Sequence, residues 1–198
     1  MSFALTGISL PVRLRPETPM SDEDLMRFCA ANETLRVERD ANGEILVMTP
    51  AGNRTGMRNT AIIAALYAWA EQDGRGYVFD SNTGFTLPDN SMRSPDAAWV
   101  KAARWDALSG EEKERFSHIC PEFIVELRSP SDNLGELQTK MEGWIANGAQ
   151  VGWLVDPIER VVTIYRPGQA PEVHPEPSSV QGDGVVAGFE LVMARVWE

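Results

Sequence analysis

Cysteine and histidine are both scarce in this 198-residue chain, which has two of each. Cys29 and Cys120 stand far apart and form no CxxC motif, so neither a disulfide framework nor a cysteine-built zinc site is expected. His118 and His174 are too few for a three-histidine metal centre, and no HExxH motif is present. This cysteine usage is typical of a reducing compartment, and we expect a cytoplasmic location.

Long apolar runs are absent as well. The longest covers residues 61–70, whereas a membrane-spanning helix needs about 20 apolar residues. No basic segment followed by an apolar one opens the chain, so no signal peptide is expected. The GxSxG, GxxxxGK[ST] and strand-borne GxGxxG motifs are also missing, which argues against serine hydrolases, P-loop NTPases and dinucleotide enzymes.

Positive charge is in the minority. Eighteen Lys and Arg stand against 29 Asp and Glu, which gives a net charge of −11. Such a protein is repelled on average by nucleic acid and by anionic membranes, and we expect no membrane partner. The balance still allows a nuclease, because carboxylates that collect divalent cations belong to such a site.

The composition, with 43% hydrophobic and 24% charged residues, is that of one globular domain over residues 1–198. We expect an irregular, proline-containing arm over residues 1–20, a core over 20–170 and a C-terminal extension over 171–198.

Hydrophobic periodicity and turn signals predict the elements. A helix is expected over 22–31, a hairpin pairs 35–39 with 44–48 around Asn42-Gly43, and a second helix over 57–72 is apolar almost all round. Further strands are predicted at 77–80, 84–87, 96–100, 123–128, 151–155 and 161–165, and further helices at 111–116 and 133–147. This order indicates an α/β fold with a mixed sheet and helices on its faces.

One charged residue stands inside a strand that should be buried. In the run Phe123–Arg128, Glu126 alternates with apolar neighbours. A buried carboxylate requires a compensating cation or partner. Either Glu126 pairs with Arg128 or a nearby lysine, or it belongs to a functional site.

Two further residues are candidates for the same chemistry. Asp96 opens another apolar strand directly after Pro95, although Pro-Asp is also common in turns. Lys140 lies at the border of the apolar stripe of the predicted helix over 133–147, where it either extends to water or reaches a carboxylate. An Asp, a Glu in the next strand and a Lys are together the parts of a Mg²⁺-dependent phosphodiesterase centre.

The order of these motifs resembles a known family. The runs are Arg93-Ser-Pro-Asp-Ala-Ala-Trp-Val, Pro121-Glu-Phe-Ile-Val-Glu-Leu-Arg-Ser-Pro-Ser, Glu136-x-x-x-Lys140, Asn147-Gly-Ala and Trp153-Leu-Val-Asp-Pro, with an acidic block over 38–44. Over about residues 20–170 the chain is similar to the Uma-type restriction endonucleases of the PD-(D/E)XK nuclease superfamily.

The resemblance implies a restriction-endonuclease-like fold with an N-terminal helix and hairpin. It also implies a Mg²⁺ or Mn²⁺ ion bound by Asp96, Glu126 and the main-chain carbonyl of Leu127. The superfamily's simplest pattern has lysine where this chain has Arg128, and Lys140 is then the natural replacement. Glu44 is an additional candidate acid and Glu38 a weaker one, although a hairpin carboxylate in water accounts for either equally well.

The leading hypothesis is a divalent-metal-dependent endonuclease that hydrolyses phosphodiester bonds in DNA. A basic groove for DNA is expected from the cationic residues Arg36, Arg54, Arg58, Arg93 and Lys140. A catalytically inactive nuclease-fold module for binding or assembly is the alternative, and a metal-dependent small-molecule hydrolase is a third. The sequence does not decide the oligomeric state. A homodimer is one alternative, because superfamily nucleases often pair to cut both strands.

Overall fold

The computed structural model describes residues 10–198, which fall into two compact units. Within the described residues the first unit comprises 10–51, Asn82–Ser94 and Ser109–Ile119, and the second comprises Gly52–Ser81, Pro95–Leu108 and Cys120–Glu198. Residues 1–9 of the predicted arm lie outside the described part. The single domain expected from the sequence stays a prediction.

The elements, in chain order, are β1 (Val12–Leu14), α1 (Asp22–Ala30), β2 (Arg36–Arg39), β3 (Ile45–Met48), α2 (Asn53–Asp73), β4 (Gly76–Asp80), β5 (Phe85–Thr86), β6 (Met92–Arg93), β7 (Ala97–Lys101), α3 (Ala102–Asp106), α4 (Gly110–Lys113), β8 (Phe123–Leu127), α5 (Leu134–Ala146), β9 (Val151–Asp156), β10 (Val161–Tyr165), β11 (Glu172–Pro175), β12 (Ser179–Gln181), a 3₁₀ turn (Gly184–Val186), β13 (Glu190–Val192) and α6 (Ala194–Trp197).

The first unit is built on a five-stranded antiparallel sheet in the order β1-β3-β2-β6-β5. Helix α1 begins where the Ser21 side chain accepts a hydrogen bond from the Asp24 N–H, and its buried residues Leu25 and Phe28 belong to the core of this unit. The prediction of an irregular arm is wrong at Val12–Leu14, which pairs with β3 as an edge strand. Val12 and Leu14 pack against the same core, which outweighs the neighbouring prolines.

The predicted hairpin in this unit is confirmed, with β2 and β3 paired antiparallel. The Asp40 carboxylate accepts hydrogen bonds from the N–H groups of Asn42 and Glu44. Gly43 has a φ of 81°, a left-handed conformation that glycine adopts without steric cost. The turn chemistry of Asn-Gly therefore fixes the register of the two strands.

The second unit is built on a six-stranded sheet in the order β11-β10-β9-β8-β7-β4. Strands β8 and β9 are parallel and connected through α5, whereas the other neighbours pair antiparallel. The sheet is therefore mixed, as predicted.

Each face of this sheet is covered by a helix. Ile62, Leu66 and Ala70 of α2 share one core with Phe123 and Val125 of β8. On the other face α5 packs against β9, and a Cβ added at Gly152 would lie 2.7 Å from the Met141 methyl group. Alternation along β8 places Glu126 on the α5 face.

Helix α2 is not buried all round, contrary to the prediction. Its buried positions form a single stripe, Thr55, Arg58, Ile62, Leu66 and Ala70. Met57 and Tyr67 lie on the opposite side and are about half exposed. The helix covers one sheet, and a helix packed on one side buries about a third of its circumference.

The C-terminal segment joins the core of the second unit. Strand β11 pairs with β10 and forms one edge of the six-stranded sheet, and β12 pairs with β13. Phe189, Leu191 and Val196 are buried among the core residues. Across residues 10–198, no helix combines the length and apolar character that crossing a bilayer requires.

Candidate metal and phosphodiesterase site

The pairing of β7 with β8 brings the two predicted carboxylates together. Ala97 lies opposite Val125 in the antiparallel register, so the next step of the register sets Asp96 opposite Glu126. Both residues are buried, with 8% of Asp96 and 2% of Glu126 exposed. Opposite positions in such a pair have Cα atoms about 5 Å apart, which allows both carboxylates to bind one ligand.

Asp96 is bonded to the strand that carries Glu126. Its Oδ2 accepts a hydrogen bond of 2.8 Å from the main-chain N–H of Leu127. Asp96 stands just before β7, so this bond continues the β7–β8 pairing by a side chain where the main-chain ladder ends. The contact fixes the carboxylate beside Glu126 and beside the peptide of Leu127.

Glu126 accepts two hydrogen bonds from α5 on a single oxygen. The Lys140 Nζ lies 2.8 Å from Oε1, and the Trp144 Nε1 lies 2.9 Å from the same atom. Lys140 and Trp144 are one helical turn apart, so both point at the same strand residue. The sequence did not decide whether Lys140 extends to water or reaches a carboxylate. In the structure it pairs with Glu126, and 14% of its side chain is exposed.

The contact of Trp144 with Glu126 was not predicted. The sequence placed Trp144 in the apolar stripe of the helix, and its ring is indeed buried. Its N–H, however, requires an acceptor when buried, and Glu126 supplies it. The four-residue spacing from Lys140 is the signal in the sequence that indicates this shared target.

Arg128, which occupies the position of the superfamily's lysine, points to a different carboxylate. Its Nη1 lies 2.6 Å from Asp156 Oδ2. The other oxygen of Asp156 accepts the N–H groups of Ile158 and Glu159, so this residue also caps the turn after β9. Arg128 therefore pairs with Asp156 and not with Glu126.

The two candidate acids of the hairpin belong to the first unit. Glu44 accepts hydrogen bonds from Arg15 at 2.8 and 3.2 Å. Glu38 is buried, and it contacts the Arg93 guanidinium at 3.2 Å and the Ser94 N–H at 3.3 Å. Both carboxylates are thus ion-paired, Glu38 in a buried position and Glu44 with the exposed Arg15, and their part in the site stays a prediction.

The arginines predicted to line a groove have different surroundings. Arg36 donates to the Ser94 carbonyl at 3.3 Å, and Arg93 is held by Glu38. Arg54 and Arg58 form no hydrogen bond or ion pair with any residue in the range 10–198.

The donor set at Asp96 and Glu126 consists of oxygen atoms alone, which suits a hard cation. No group of three or more His, Cys, Asp or Glu side chains that could hold a metal occurs within the described range. Mg²⁺ does not require one, because it is commonly held by one or two carboxylates and completes its shell with waters and substrate phosphates. Two opposed buried carboxylates beside the Leu127 peptide therefore fit Mg²⁺ or Mn²⁺.

Comparison with known proteins agrees with the motifs. The model of a family named Uma2, described as "Putative restriction endonuclease", matches residues 22–194. The match extends beyond residue 170, where the resemblance was expected to end, and includes most of the C-terminal segment. No curated protein matches the chain.

A solved structure shares the fold. It is the crystal structure of "a putative nuclease belonging to DUF820" from Anabaena variabilis, which superposes with a TM-score of 0.71 at 20% sequence identity. The alignment covers 90% of this chain and 98% of that one. The likeness confirms the predicted fold, a restriction-endonuclease-like central mixed sheet flanked by helices.

Proposed function

The chain belongs to the Uma2 family, and on that premise we propose that it is a divalent-metal-dependent endonuclease that hydrolyses phosphodiester bonds in DNA. The observation that carries the proposal is the cluster of Asp96, Glu126 and Lys140, in which Lys140 Nζ lies 2.8 Å from Glu126 Oε1. These are the residue types that a metal-assisted phosphodiesterase requires.

Asp96, Glu126 and the carbonyl of Leu127 would hold the Mg²⁺ or Mn²⁺ ion. When bound, such an ion polarises a phosphoryl oxygen and lowers the pKa of a coordinated water. The protein's part is to fix the ligands. The Leu127 N–H orients Asp96, and Lys140 with Trp144 orients Glu126.

Lys140 has a second role in this proposal. Its side chain is mostly buried and its ammonium group contacts Glu126, where it would stabilise the negative charge that develops on the phosphoryl group in the transition state. Glu44 stays a proposed additional acid. A Glu44→Gln variant that cleaves DNA at the wild-type rate would remove it from the site.

Metal binding is the first test, because it needs no assumption about the substrate. Isothermal titration of Mn²⁺ and Mg²⁺ into the wild type should show binding, and Asp96→Ala and Glu126→Gln should abolish it. Glu142→Gln, which removes an exposed carboxylate from the same helix α5, is the matched control and should bind as the wild type does.

Cleavage is the second test. The wild type should convert a supercoiled plasmid to nicked or linear forms with Mg²⁺ or Mn²⁺, and EDTA should stop the reaction. Asp96→Ala, Glu126→Gln and Lys140→Met should reduce the rate by at least about a hundredfold, in the range seen when one group of such a site is removed. Unchanged cleavage by Asp96→Ala would overturn the proposal.

A catalytically inactive module is the second candidate. It is favoured by the pairing of Glu126, because a buried carboxylate that accepts from both Lys140 and Trp144 is compensated without a metal. This candidate predicts that the wild type binds neither Mn²⁺ nor Mg²⁺, and that Lys140→Met changes stability alone.

A further inference from the structure

Arg58 is a buried cation that forms no ion pair within residues 10–198. Only 8% of it is exposed, and its buried Nε makes no hydrogen bond. Its guanidinium forms no hydrogen bond or ion pair with a carboxylate or carbonyl in the range 10–198. In contrast, the arginines Arg39, Arg93, Arg104 and Arg128 are all held by carboxylates. An unpaired buried charge is costly, and a bound anion would offset the cost.

Arg58 lies near the beginning of α2, and helical side chains lean toward the N-terminus. The N-cap of this helix is Gly52, which supplies no side-chain acceptor, and the first turn contains no acidic residue. The first N–H groups of a helix have no partner within the helix, and they carry the positive end of its dipole. The terminus of α2 is therefore electropositive and lacks a counter-charge from its own side chains.

A second arginine adds to this field. Arg54 stands one turn before Arg58, on the same side of the helix, and like charges at this spacing repel each other. Burial lowers the pKa of Arg58, and the positive charge of Arg54 lowers it further. The two side chains therefore interact electrostatically. An anion between them would convert this repulsion into attraction.

The approach to this terminus is open. A Cβ added at Gly52 or at Gly56 would meet no atom within 4 Å. The absence of side chains at these two positions leaves room for a ligand beside the main-chain N–H groups, as in other helix termini that bind phosphate.

The terminus lies at the end of the sheet where Asp96 and Glu126 stand. Helix α2 and β4 are joined by two residues and pack against each other, so they run in opposite directions. The five residues of β4 extend about 17 Å, a length that takes about 11 residues of helix. The residue that lies 11 positions before Asp73, residue 62, is therefore level with the C-terminal end of β4. Arg58 lies about one helical turn beyond that level. That end of β4 pairs with Ala97, the neighbour of Asp96.

We propose that the N-terminus of α2, with Arg54 and Arg58, is a binding site for a phosphate group, and that this group is a backbone phosphate of the nucleic acid flanking the one to be hydrolysed. The nucleic-acid part rests on the proposed function, whereas the phosphate site follows from Arg58 and the helix terminus. The α2 face of the sheet is opposite the α5 face that carries Glu126, which is why a flanking phosphate is assigned.

Thermal unfolding with inorganic phosphate tests the site itself. Phosphate should raise the Tm of the wild type above that in chloride of equal ionic strength, and the increment should be lost in Arg58→Gln and reduced in Arg54→Gln. Arg160→Gln, which removes an exposed arginine with no ion pair in residues 10–198, should keep the increment. An equal increment in Arg58→Gln, or none in the wild type, would overturn the phosphate site.

Binding of a fluorescein-labelled DNA duplex in EDTA tests the source of the phosphate. Arg58→Gln should weaken the affinity about tenfold, which is the scale of a hydrogen bond to a charged group, and reduce the slope of log K against log salt by about 1. Arg58→Lys should recover part of the affinity, and Arg160→Gln should bind as the wild type does. Unchanged affinity and slope in Arg58→Gln would overturn the nucleic-acid assignment.

The two proposals fail in different ways. If the wild type cleaves DNA with metal and Arg58→Gln matches it in phosphate response, affinity and salt slope, the phosphate site is overturned and the nuclease stands. If the wild type neither binds nor cleaves DNA but loses its phosphate response in Arg58→Gln, the nuclease fails and the site is assigned to a free phosphate. Arg58→Gln should fold, because it removes an unpaired buried charge, and its unfolding curve checks this directly.

Discussion

Lys140 and Trp144, one turn apart on α5, donate to the same oxygen of Glu126. A single carboxylate oxygen therefore ties the helix to the middle of the sheet. The two donors differ in kind, since one carries charge and the other does not. Substitutions at the two positions should accordingly have separable effects on stability and on metal binding.

Trp144→Phe tests the neutral donor. The phenyl ring retains most of the packing but lacks the N–H, so we expect a loss of about 1–2 kcal/mol in the free energy of unfolding. Urea denaturation followed by far-UV circular dichroism measures this value. Wild-type stability would show that the hydrogen bond from the indole contributes nothing.

Lys140→Met tests the charged donor. It leaves Glu126 buried without its cation, and we expect a loss of about 3 kcal/mol. Glu126→Gln in the same background should restore most of the stability, because the buried charge is then gone. A double-mutant cycle of these variants measures the coupling, and additive losses would contradict the ion pair.

Arg128→Lys tests whether the position of the superfamily's lysine matters here. Because Arg128 pairs with Asp156 at 2.6 Å, we expect the Lys variant to retain metal affinity and to lose at most about 1 kcal/mol, whereas Arg128→Ala should lose about 3 kcal/mol. Manganese titration and urea denaturation measure the two quantities. A tenfold change in metal affinity for Arg128→Lys would place this residue in the site.

Cys29 gives a prediction for alkaline pH. Burial raises the pKa of its thiol to about 11, whereas an unfolded thiol has a pKa of about 8.5. Between these values the folded state keeps the proton that the unfolded state releases, so this contribution to stability is complete below about pH 8.5 and declines as pH rises toward 11. Iodoacetamide labelling followed by peptide mass spectrometry should show slow reaction of native Cys29 at pH 8.5 and fast reaction in urea. Equal rates would contradict the raised pKa.

Local sequence patterns predicted the helices and strands correctly where the local pattern and the tertiary packing favour the same structure. The Asn42-Gly43 hairpin, the apolar strand with Glu126 and the helix with Lys140 all lie within about one residue of their expected bounds. Strand β1 was missed because it is only three residues long and adjoins prolines, and its pairing with β3 is a long-range contact.

The sequence indicated that Asp96, Glu126 and Lys140 act together, and the structure brings them together, but the sequence did not indicate the bonds that they form. Strand alternation indicates that Glu126 is buried, yet it does not say which cation is near, and the choice of Lys140 over Arg128 depends on how α5 packs. Arg58 illustrates the same point, because a wheel of α2 marks it as one more charged residue in the first turns. Its burial follows from the tertiary packing of the buried face of α2, which a wheel does not show.

The bond from the Leu127 N–H to Asp96 has a consequence for how variants at this position are interpreted. An alanine at position 96 removes an acceptor as well as a ligand, so the Leu127 amide is left orphaned inside the sheet and becomes free to exchange with deuterium. An asparagine keeps a carbonyl oxygen in reach of that amide while losing the charge. Comparison of the two substitutions thus separates the role of Asp96 as a hydrogen-bond acceptor within the sheet from its role as a negative charge. Exchange of the Leu127 amide proton reports on the hydrogen-bond role alone.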